Sequence, residues 1–490
     1  MGSGTNRADA ELRSLAAGVL LPGFAGTTAP DWVRRWISEG LGGVLLFGRN
    51  VVDDQQVAAL SASIAAERDD AVVAIDEEGG DVTRLDAGRG SEVPGNYALG
   101  VAADPQLTDQ VATALGRRLV AAGITANFAP CADLTLTELD PIIGVRAFGS
   151  DPRAAAQQIE PWIRGLQRCG VAACAKHFPG HGAATEDSHA TLPVLARTER
   201  MLREVELVPF AAAIAAGVRS VMLGHLVIPT WDEKPASLSP KAVAVLRDEL
   251  GFTGTVVTDA IDMGAVTGTA GMAGGAIAAL RAGADTLVVG GTYTDEGTVV
   301  SLVDALVEAV LRDELPVDRL YEAANRTLAL GDRTGFTDGP WDREIGLIAA
   351  RRAVRTQGEP KLAGAPLVVE LSVAPTIAVG EVPWSFGAQL KTLVPETEVL
   401  RLSKEDATLA RIASAAAGRS VVVVTRDGAR YPWIVDLFGE LVPSGLDLIR
   451  VETGVPGPTL GVAALVDTHG AARVCLRAGA EMLATTRRTA

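Results

Sequence analysis

Eight short apolar segments alternate with candidate helices between residues 14 and 335. The apolar segments span residues 15–21, 43–47, 72–75, 124–129, 171–175, 220–223, 255–258 and 286–289. Most are apolar throughout, as expected of parallel strands that are covered on both faces. Helix candidates lie between them at residues 55–67, 106–122, 154–168, 199–216 and 241–250. Eight strand–helix repeats predict an α/β fold, and more narrowly a (β/α)8 barrel of the TIM type.

The pattern changes near residue 335, which predicts a second domain. Turn-forming sequences rich in Gly and Pro lie near both ends of residues 336–364, as in a linker. Five further apolar segments follow, at residues 367–371, 398–402, 420–425, 446–451 and 461–466. Their alternation with helices predicts a smaller, doubly wound α/β domain. We therefore expect a catalytic barrel over residues 1–335, a linker over 336–364 and a C-terminal α/β domain over 365–490.

Charge and composition exclude several classes of partner. The net charge of −16 disfavours nucleic acid or an anionic membrane surface as the main partner, since both attract cationic proteins. The sequence contains no run of 18 apolar residues, so we expect no membrane span. The N-terminus lacks a secretory signal pattern, and the four cysteines lack Cys-x-x-Cys spacing. Buried free thiols and a cytoplasmic location are therefore expected.

Residues 171–193 concentrate titratable groups directly after an apolar strand. Three of the five histidines of the chain lie within this segment. The segment contains Lys176, His177, His181, Asp187 and His189, interrupted by glycines and a proline. Clusters of perturbable groups at the end of a buried strand are typical of active sites.

Several other predicted strands also end in polar residues, and in a (β/α)8 barrel these ends form the active-site face. The polar residues that follow strands 3 to 7 are Asp76, Glu77, Glu78, Arg84, Asn127, Asp133, Arg146, Lys176, His177, His225 and Asp259. Singly, each has an ordinary explanation: Asp133 could cap a helix, and His225 could be a hydrogen-bonded core histidine. Their joint occurrence at the strand ends instead predicts a functional site.

The alternation of carboxylates and cations suits a neutral, polyhydroxylated ligand. Asp76 can accept hydrogen bonds from vicinal hydroxyls, while the cationic groups can donate to them. The predicted donors are Arg146, Lys176 and His177. We therefore predict a saccharide as the ligand.

A carboxylate and a separate proton donor complete the predicted chemistry. Asp259 follows an apolar strand and a threonine, which would place an ionised carboxylate near the barrel axis. Asp187 lies two residues from His189, where it could orient the imidazole and raise its pKa for general acid and base catalysis. A nucleophilic carboxylate facing a proton donor is the arrangement used in retaining glycoside hydrolysis.

The block Lys176-His177-Phe178-Pro179-Gly180-His181-Gly182, followed by Asp187-Ser188-His189, resembles glycoside hydrolase family 3, and within it the NagZ-type β-N-acetylglucosaminidase branch. Further matching blocks are Asp76-Glu77-Glu78-Gly79-Gly80, Asn127-Phe128-Ala129-Pro130, Arg146-Ala147-Phe148-Gly149 and Thr258-Asp259. The matches span the whole predicted barrel. The C-terminal region resembles the second domain of longer family members, with weaker motifs.

The resemblance implies a role for each matching residue. It makes Asp259 the nucleophile that forms a glycosyl-enzyme ester, and His189 the acid and base with Asp187 as its partner. The residues that would hold the terminal N-acetylglucosamine are Asp76, Arg146, Lys176 and His177. It implies neither a metal nor a cofactor. Asp81 stands where the family commonly has an arginine that binds the sugar, and Arg84 could provide such a bond instead.

Alternatives to an N-acetylglucosaminidase stay open at this point. Lys176 could form a Schiff base in an aldolase. A metal-dependent hydrolase would use His177, His181, His225 and Asp259 as ligands. A sugar-binding protein would need no catalysis, and a β-glucosidase of the same family would differ only in its substrate. Because a neutral histidine admits an anion, a phosphorylase that uses phosphate as the acceptor is also possible. The aglycone is either a muropeptide, as in cell-wall recycling, or a chitin-derived saccharide.

Overall fold

The computed structural model describes residues 2–137, 142–184, 192–290, 293–332, 339–374, 379–380 and 384–485. They form an α/β protein with a curled parallel sheet in the first half of the chain, a mixed sheet in the second half, and helices packed against both. The helices are α1 (Gly2–Gly18), α2 (Asp31–Glu39), α3 (Asp54–Ala65), α4 (Asn96–Ala102), α5 (Pro105–Ala121), α6 (Pro152–Arg168), α7 (Glu199–Met201), α8 (Leu207–Ala215), α9 (Pro240–Ala244), α10 (Gly264–Ala282), α11 (Glu296–Leu311), α12 (Val317–Leu328), α13 (Ile345–Ala353), α14 (Phe386–Leu393), α15 (Leu409–Ala416), α16 (Pro432–Leu441) and α17 (Arg473–Thr485). The predicted α/β class is confirmed.

The first sheet is a curled parallel sheet whose strands follow chain order. Its strands are β1 (Leu20–Pro22), β2 (Gly43–Leu46), β3 (Val72–Ile75), β4 (Ala126–Asn127), β5 (Ala172–Phe178), β6 (Ser220–Leu223), β7 (Thr255–Thr258) and β8 (Leu287–Val289). Strands β2 to β7 form one six-stranded sheet, and β1 pairs with β8. A bridge between Val257 and Thr286 joins β7 to the residue before β8. Because the strands are parallel, their C-terminal ends gather on one side, where the predicted site residues lie.

One predicted strand is wrong over most of its length. Residues 15–18 belong to helix α1, and strand β1 begins only at Leu20. The run Leu15-Ala16-Ala17 consists of strong helix formers, and an apolar run alone does not distinguish a buried helix from a strand. Strand β5 is longer than predicted and continues through Lys176 and His177 to Phe178.

The second sheet has the order β11-β10-β12-β13-β14-β9. Its strands are β9 (Arg355–Gln357), β10 (Leu367–Leu371), β11 (Glu398–Leu402), β12 (Val421–Thr425), β13 (Leu448–Glu452) and β14 (Leu465–Asp467). The five predicted strands are present and parallel. Strand β9 lies inside the range predicted as a linker and pairs antiparallel with β14. Its side chains are exposed, so this segment lacks the apolar pattern from which the other strands were predicted.

Burial accounts for the apolar patterning and for the cysteines. Both sheets carry continuous clusters of buried aliphatic side chains against their helices. Cys131, Cys169, Cys174 and Cys475 are buried, and none of these four forms a disulfide bond, as predicted. In the part of the chain that the structure describes, every helix is too short or too polar to cross a lipid bilayer.

Asp285 fixes the junction between β7 and β8 at the side opposite to the site. Its side chain is fully buried, and one oxygen accepts hydrogen bonds from Val256 N at 2.9 Å and Arg247 Nη2 at 2.7 Å. The other oxygen accepts from Arg319 Nη2 at 2.6 Å and Arg326 Nη1 at 3.2 Å. A buried carboxylate is tolerated there because three guanidinium groups compensate for its lost hydration.

We predict that Asp285→Asn lowers the free energy of unfolding by about 3 kcal/mol, because it leaves the arginine charges without their shared partner. Urea-induced unfolding measures the loss. Glu308→Gln is the control, since Glu308 pairs with Arg312 on the exposed surface, and such pairs contribute less than about 1 kcal/mol. Equal effects of the two substitutions would contradict the role assigned to Asp285.

Candidate active site

One cavity of about 470 Å³ gathers the predicted residues at the C-terminal side of the curled sheet. Its lining includes the predicted nucleophile and the predicted sugar-binding residues: Asp76, Arg84, Arg146, Lys176, His177 and Asp259. They come from the ends of β3, β5 and β7 and from the loops that follow β3 and β4. Asp187 and His189 lie outside the described residues.

Lys176 is the centre of a buried ion-pair network. Its Nζ lies 2.6 Å from Asp76 and 2.8 Å from Glu78, while Arg146 Nη2 lies 2.7 Å from Glu78. Burial alone would raise the pKa of Glu78, but the charges of Arg146 and Lys176 outweigh it and hold that pKa well below its usual range. Burial would lower the pKa of Lys176, but Asp76 and Glu78 outweigh it and raise that pKa. Glu78, Lys176 and Arg146 are therefore charged at neutral pH.

This network argues against the aldolase alternative. A lysine that forms a Schiff base must be available as the neutral amine. The paired carboxylates instead stabilise the ammonium form of Lys176, so the residue is suited to donating hydrogen bonds.

Asp133 fixes the ring of His177. One of its carboxylate oxygens lies 2.7 Å from His177 Nδ1, and the other accepts a hydrogen bond from His181 N at 2.7 Å. Burial opposes the charge of Asp133, but the two histidines outweigh it and hold its pKa well below the usual range. Because an ionised carboxylate only accepts, Nδ1 of His177 carries the proton, and Nε2 is the nitrogen left for a ligand. Asp133 is thus neither a helix cap nor a surface residue.

Asp259 directly follows β7 and is held by main-chain bonds. Its amide donates to Leu223 O at 3.0 Å, and its Oδ1 accepts from Ala260 N at 2.8 Å. His225 supports the same turn, since its Nε2 lies 2.9 Å from Ala260 O and its Nδ1 lies 2.7 Å from Ser237 Oγ. A carbonyl can only accept, so Nε2 of His225 is the donor.

The hydrogen bonds of His225 remove this residue from the ligand set of the metal-dependent alternative. Both ring nitrogens of His225 are engaged by Ser237 and Ala260, so they are not available to a cation beside Asp259. Among the described residues, a different group lies close enough to hold a metal: ligand atoms of Cys131, Asp133 and His177 lie within 4.8 Å of one another. These atoms already bond to each other through Asp133.

Glu77 organises the segment that carries Arg84. Its Oε2 accepts hydrogen bonds from Arg84 N at 2.8 Å and Leu85 N at 2.9 Å. Its main-chain amide donates to the side chain of Asn127 at 2.9 Å, which ties the segment to β4. Burial raises the pKa of Glu77 to about 7, and the nearby negative charge of Asp86 adds to the effect.

Two parts of the site were not among the predicted catalytic or sugar-binding residues. Glu78 was seen only as one of three consecutive acids, yet it pairs with both Lys176 and Arg146. Val379 and Gly380 also line the cavity, although they follow the second sheet's β10. Nothing in the local sequence around residue 380 indicates that contribution.

The chain is similar in sequence and in fold to known proteins. Residues 24–330 match the family model described as the glycosyl hydrolase family 3 N terminal domain. A β-hexosaminidase from Stenotrophomonas maltophilia (strain R551-3) is 40% identical over 280 residues, which cover 55% of this chain and 83% of that protein. The solved structure of a family 3 β-N-acetylglucosaminidase from Paenibacillus sp. str. FPU-7 is 31% identical, covers 97% of both chains and gives a TM-score of 0.87. A solved β-glucoside phosphorylase, BglX bound to 2FGlc, covers 98% of this chain and 93% of its own with a TM-score of 0.78, and at 17% identity it shows the fold alone.

These findings identify the class as glycoside hydrolase. Because the family model matches well over half of the chain, the chain belongs to glycosyl hydrolase family 3. Its relatives are of the β-N-acetylhexosaminidase type. The resemblance predicted from residues 176–182 is therefore confirmed.

The raised pKa of Glu77 predicts that the free energy of unfolding depends on pH. Its pKa rises from 4.5 to about 7 on folding, so between these pH values the folded chain keeps a proton that the unfolded chain releases. The free energy of unfolding therefore decreases as pH rises through this window, by about 3 kcal/mol for this group. Glu77→Gln keeps an acceptor oxygen for Arg84 and Leu85 but cannot ionise.

The measurement compares unfolding of the wild type and Glu77→Gln at pH 4.5 and pH 7.5. We expect the wild type to lose about 3 kcal/mol more than the variant between these values. Parallel pH profiles for the two proteins would show that Glu77 does not titrate in this window.

Proposed function

We propose that the protein is a retaining exo-β-N-acetylglucosaminidase in which Asp259 is the nucleophile. The convergence of Asp259 with Asp76, Lys176 and His177 in one cavity carries the proposal. A sugar held by the ion-paired group would present its anomeric carbon to a carboxylate that comes from a different strand end. Membership of glycosyl hydrolase family 3 and the names of the relatives supply the substrate class.

The reaction proceeds in two displacements. An oxygen of Asp259 attacks the anomeric carbon while the bond to the aglycone oxygen breaks, and His189 donates a proton to that leaving oxygen. This gives a glycosyl ester on Asp259. His189 then removes a proton from water, which attacks the anomeric carbon, breaks the ester and restores the carboxylate with net retention. Asp187 orients His189 in both steps.

The remaining residues bind the terminal sugar. Asp76 accepts hydrogen bonds from hydroxyls, Lys176 and Arg146 donate to them, and His177 offers Nε2. Arg84 adds a further donor from the loop that Glu77 organises. Because Lys176 and Arg146 are already fixed by carboxylates, little conformational entropy is lost when the sugar binds.

We also propose that β1 to β8 close into a single (β/α)8 barrel that forms the catalytic domain over residues 1–335. The hydrogen bond from Leu287 N to Val19 O and the bridge between Val257 and Thr286 support closure. Residues 336–364 would connect this barrel to the C-terminal domain, residues 365–490.

Asp259→Ala should lower kcat for an aryl β-N-acetylglucosaminide by at least about 1,000-fold, because the ester can no longer form. Added azide should restore turnover and yield the inverted α-glycosyl azide, since it occupies the space left by the carboxylate. Turnover and product anomer, measured by nuclear magnetic resonance, test this.

Asp262→Asn is the matched control. Asp262 lines the same cavity, but its Oδ1 accepts a hydrogen bond from Gly290 N at 3.2 Å, a role that an amide oxygen can keep. We expect less than a tenfold loss of kcat. Full activity of Asp259→Ala, or equal losses in the two variants, would remove Asp259 as the nucleophile.

The acceptor and the aglycone are tested together. Aryl N-acetylglucosaminide and aryl glucoside, each with and without phosphate, should show turnover of the first substrate at a rate and with a product that phosphate does not change. Release of a sugar 1-phosphate would instead identify a phosphorylase. Comparison of a muropeptide fragment with a chitin-derived disaccharide then assigns the aglycone.

A further inference from the structure

The loop between β3 and α4, residues 76–95, is attached to both halves of the chain. On the first half, Glu77 N donates to the side chain of Asn127 at 2.9 Å, and Asp86 pairs with Arg118 at 2.6 Å. This loop also carries Asp76, Glu78 and Arg84, which line the catalytic cavity. Its position therefore determines part of the sugar-binding wall.

Asp81 attaches the same loop to the second half. Its side chain is 1% exposed; Oδ1 accepts a hydrogen bond from Ala471 N at 2.7 Å, and Oδ2 lies 2.7 Å from Arg426 Nη2. Arg426 follows β12, and Ala471 precedes α17. Asp81 thus joins the loop to two separate segments of the C-terminal region.

Three further contacts lie along the loop. Trp384 Nε1 donates to Ala87 O at 3.1 Å, Val474 N donates to Ser91 O at 3.5 Å, and Arg473 pairs with Glu92. Of these contacts, the one at Asp81 lies nearest in sequence to the cavity-lining residues Glu78 and Arg84.

We propose that Asp81 is a positioning residue for sugar binding: by holding Arg426 and the amide of Ala471, it sets the loop that presents Arg84 and Glu78. Asp81 itself lines neither the catalytic cavity nor the neighbouring cavity of about 530 Å³ that Arg426 faces. An effect of Asp81 on sugar affinity is therefore transmitted through the loop. This inference rests on the proposed function for its kinetic readout.

The test is Asp81→Asn in the full chain. The amide oxygen can still accept from Ala471, so the substitution removes mainly the charge that holds Arg426. We expect KM for the aryl β-N-acetylglucosaminide to rise by about tenfold with kcat within about threefold, because binding of the ground state and the transition state weakens together. Arg426→Gln added to Asp81→Asn should raise KM little further, since the two residues act as one pair.

Hydrogen exchange supplies a readout that does not depend on activity. Amides of residues 79–95, including those of Arg84 and Leu85, should exchange faster in Asp81→Asn than in the wild type. Asp81→Glu, which keeps the charge, should recover at least part of both the KM and the protection. Arg352→Gln is the control: Arg352 pairs with Asp104, away from this loop, and its replacement should change neither quantity.

The outcomes separate the two proposals. A wild type without N-acetylglucosaminide turnover would refute the proposed function, while faster exchange in Asp81→Asn would still support the structural coupling. A wild type with turnover and an Asp81→Asn variant with unchanged KM and exchange would overturn the role of Asp81. A general loss of stability in Asp81→Asn, with equal exchange increases throughout the chain, would also overturn it.

Discussion

The ion-pair network of Lys176, Asp76, Glu78 and Arg146 is the interaction on which the rest of the site depends. It joins the ends of β3 and β5 to the loop after β4, so three segments that are far apart in sequence share one set of charges. Each of these charges would be costly to bury alone, and removal of one partner would leave the others uncompensated. The network therefore fixes the positions of the groups that face the cavity, and it keeps Glu78 and Lys176 charged.

Much of the fold was accessible from the sequence, because buried parallel strands leave a simple signal. Seven of the eight apolar segments in the first half overlap strands β2 to β8, and all five in the second half overlap β10 to β14. The strand prediction failed where an apolar segment forms a helix and where a strand has exposed side chains. Residues 15–18 are apolar but helical, and β9 is a strand with exposed side chains. Strand β9 forms because it pairs with β14, which lies more than 100 residues away, and its own composition does not indicate a strand.

The site residues that could be predicted from the sequence are those that follow predicted strands. The described residues among the predicted set do share one cavity, because the C-terminal ends of parallel strands must converge. Glu78 was listed among the polar residues after β3, but its contacts were not predicted, because they depend on the turn that follows the strand. Asp76 and Glu78 pair with Lys176, while Glu77 between them binds the amides of Arg84 and Leu85. The role of Asp81 could not be read locally, because its partner Arg426 lies in the other half of the chain.

The charge balance of the cavity bears on what it can bind. Lys176 and Arg146 are the most deeply buried cations there, and Asp76 and Glu78 already neutralise them. Such a wall offers directed donors and acceptors with little net charge, which suits the hydroxyls of a neutral sugar. An anionic acceptor such as phosphate would gain little from two cations that are held by carboxylates. The charge balance of the wall therefore supports both parts of our proposal, a neutral glycoside as the substrate and water as the acceptor in the second displacement.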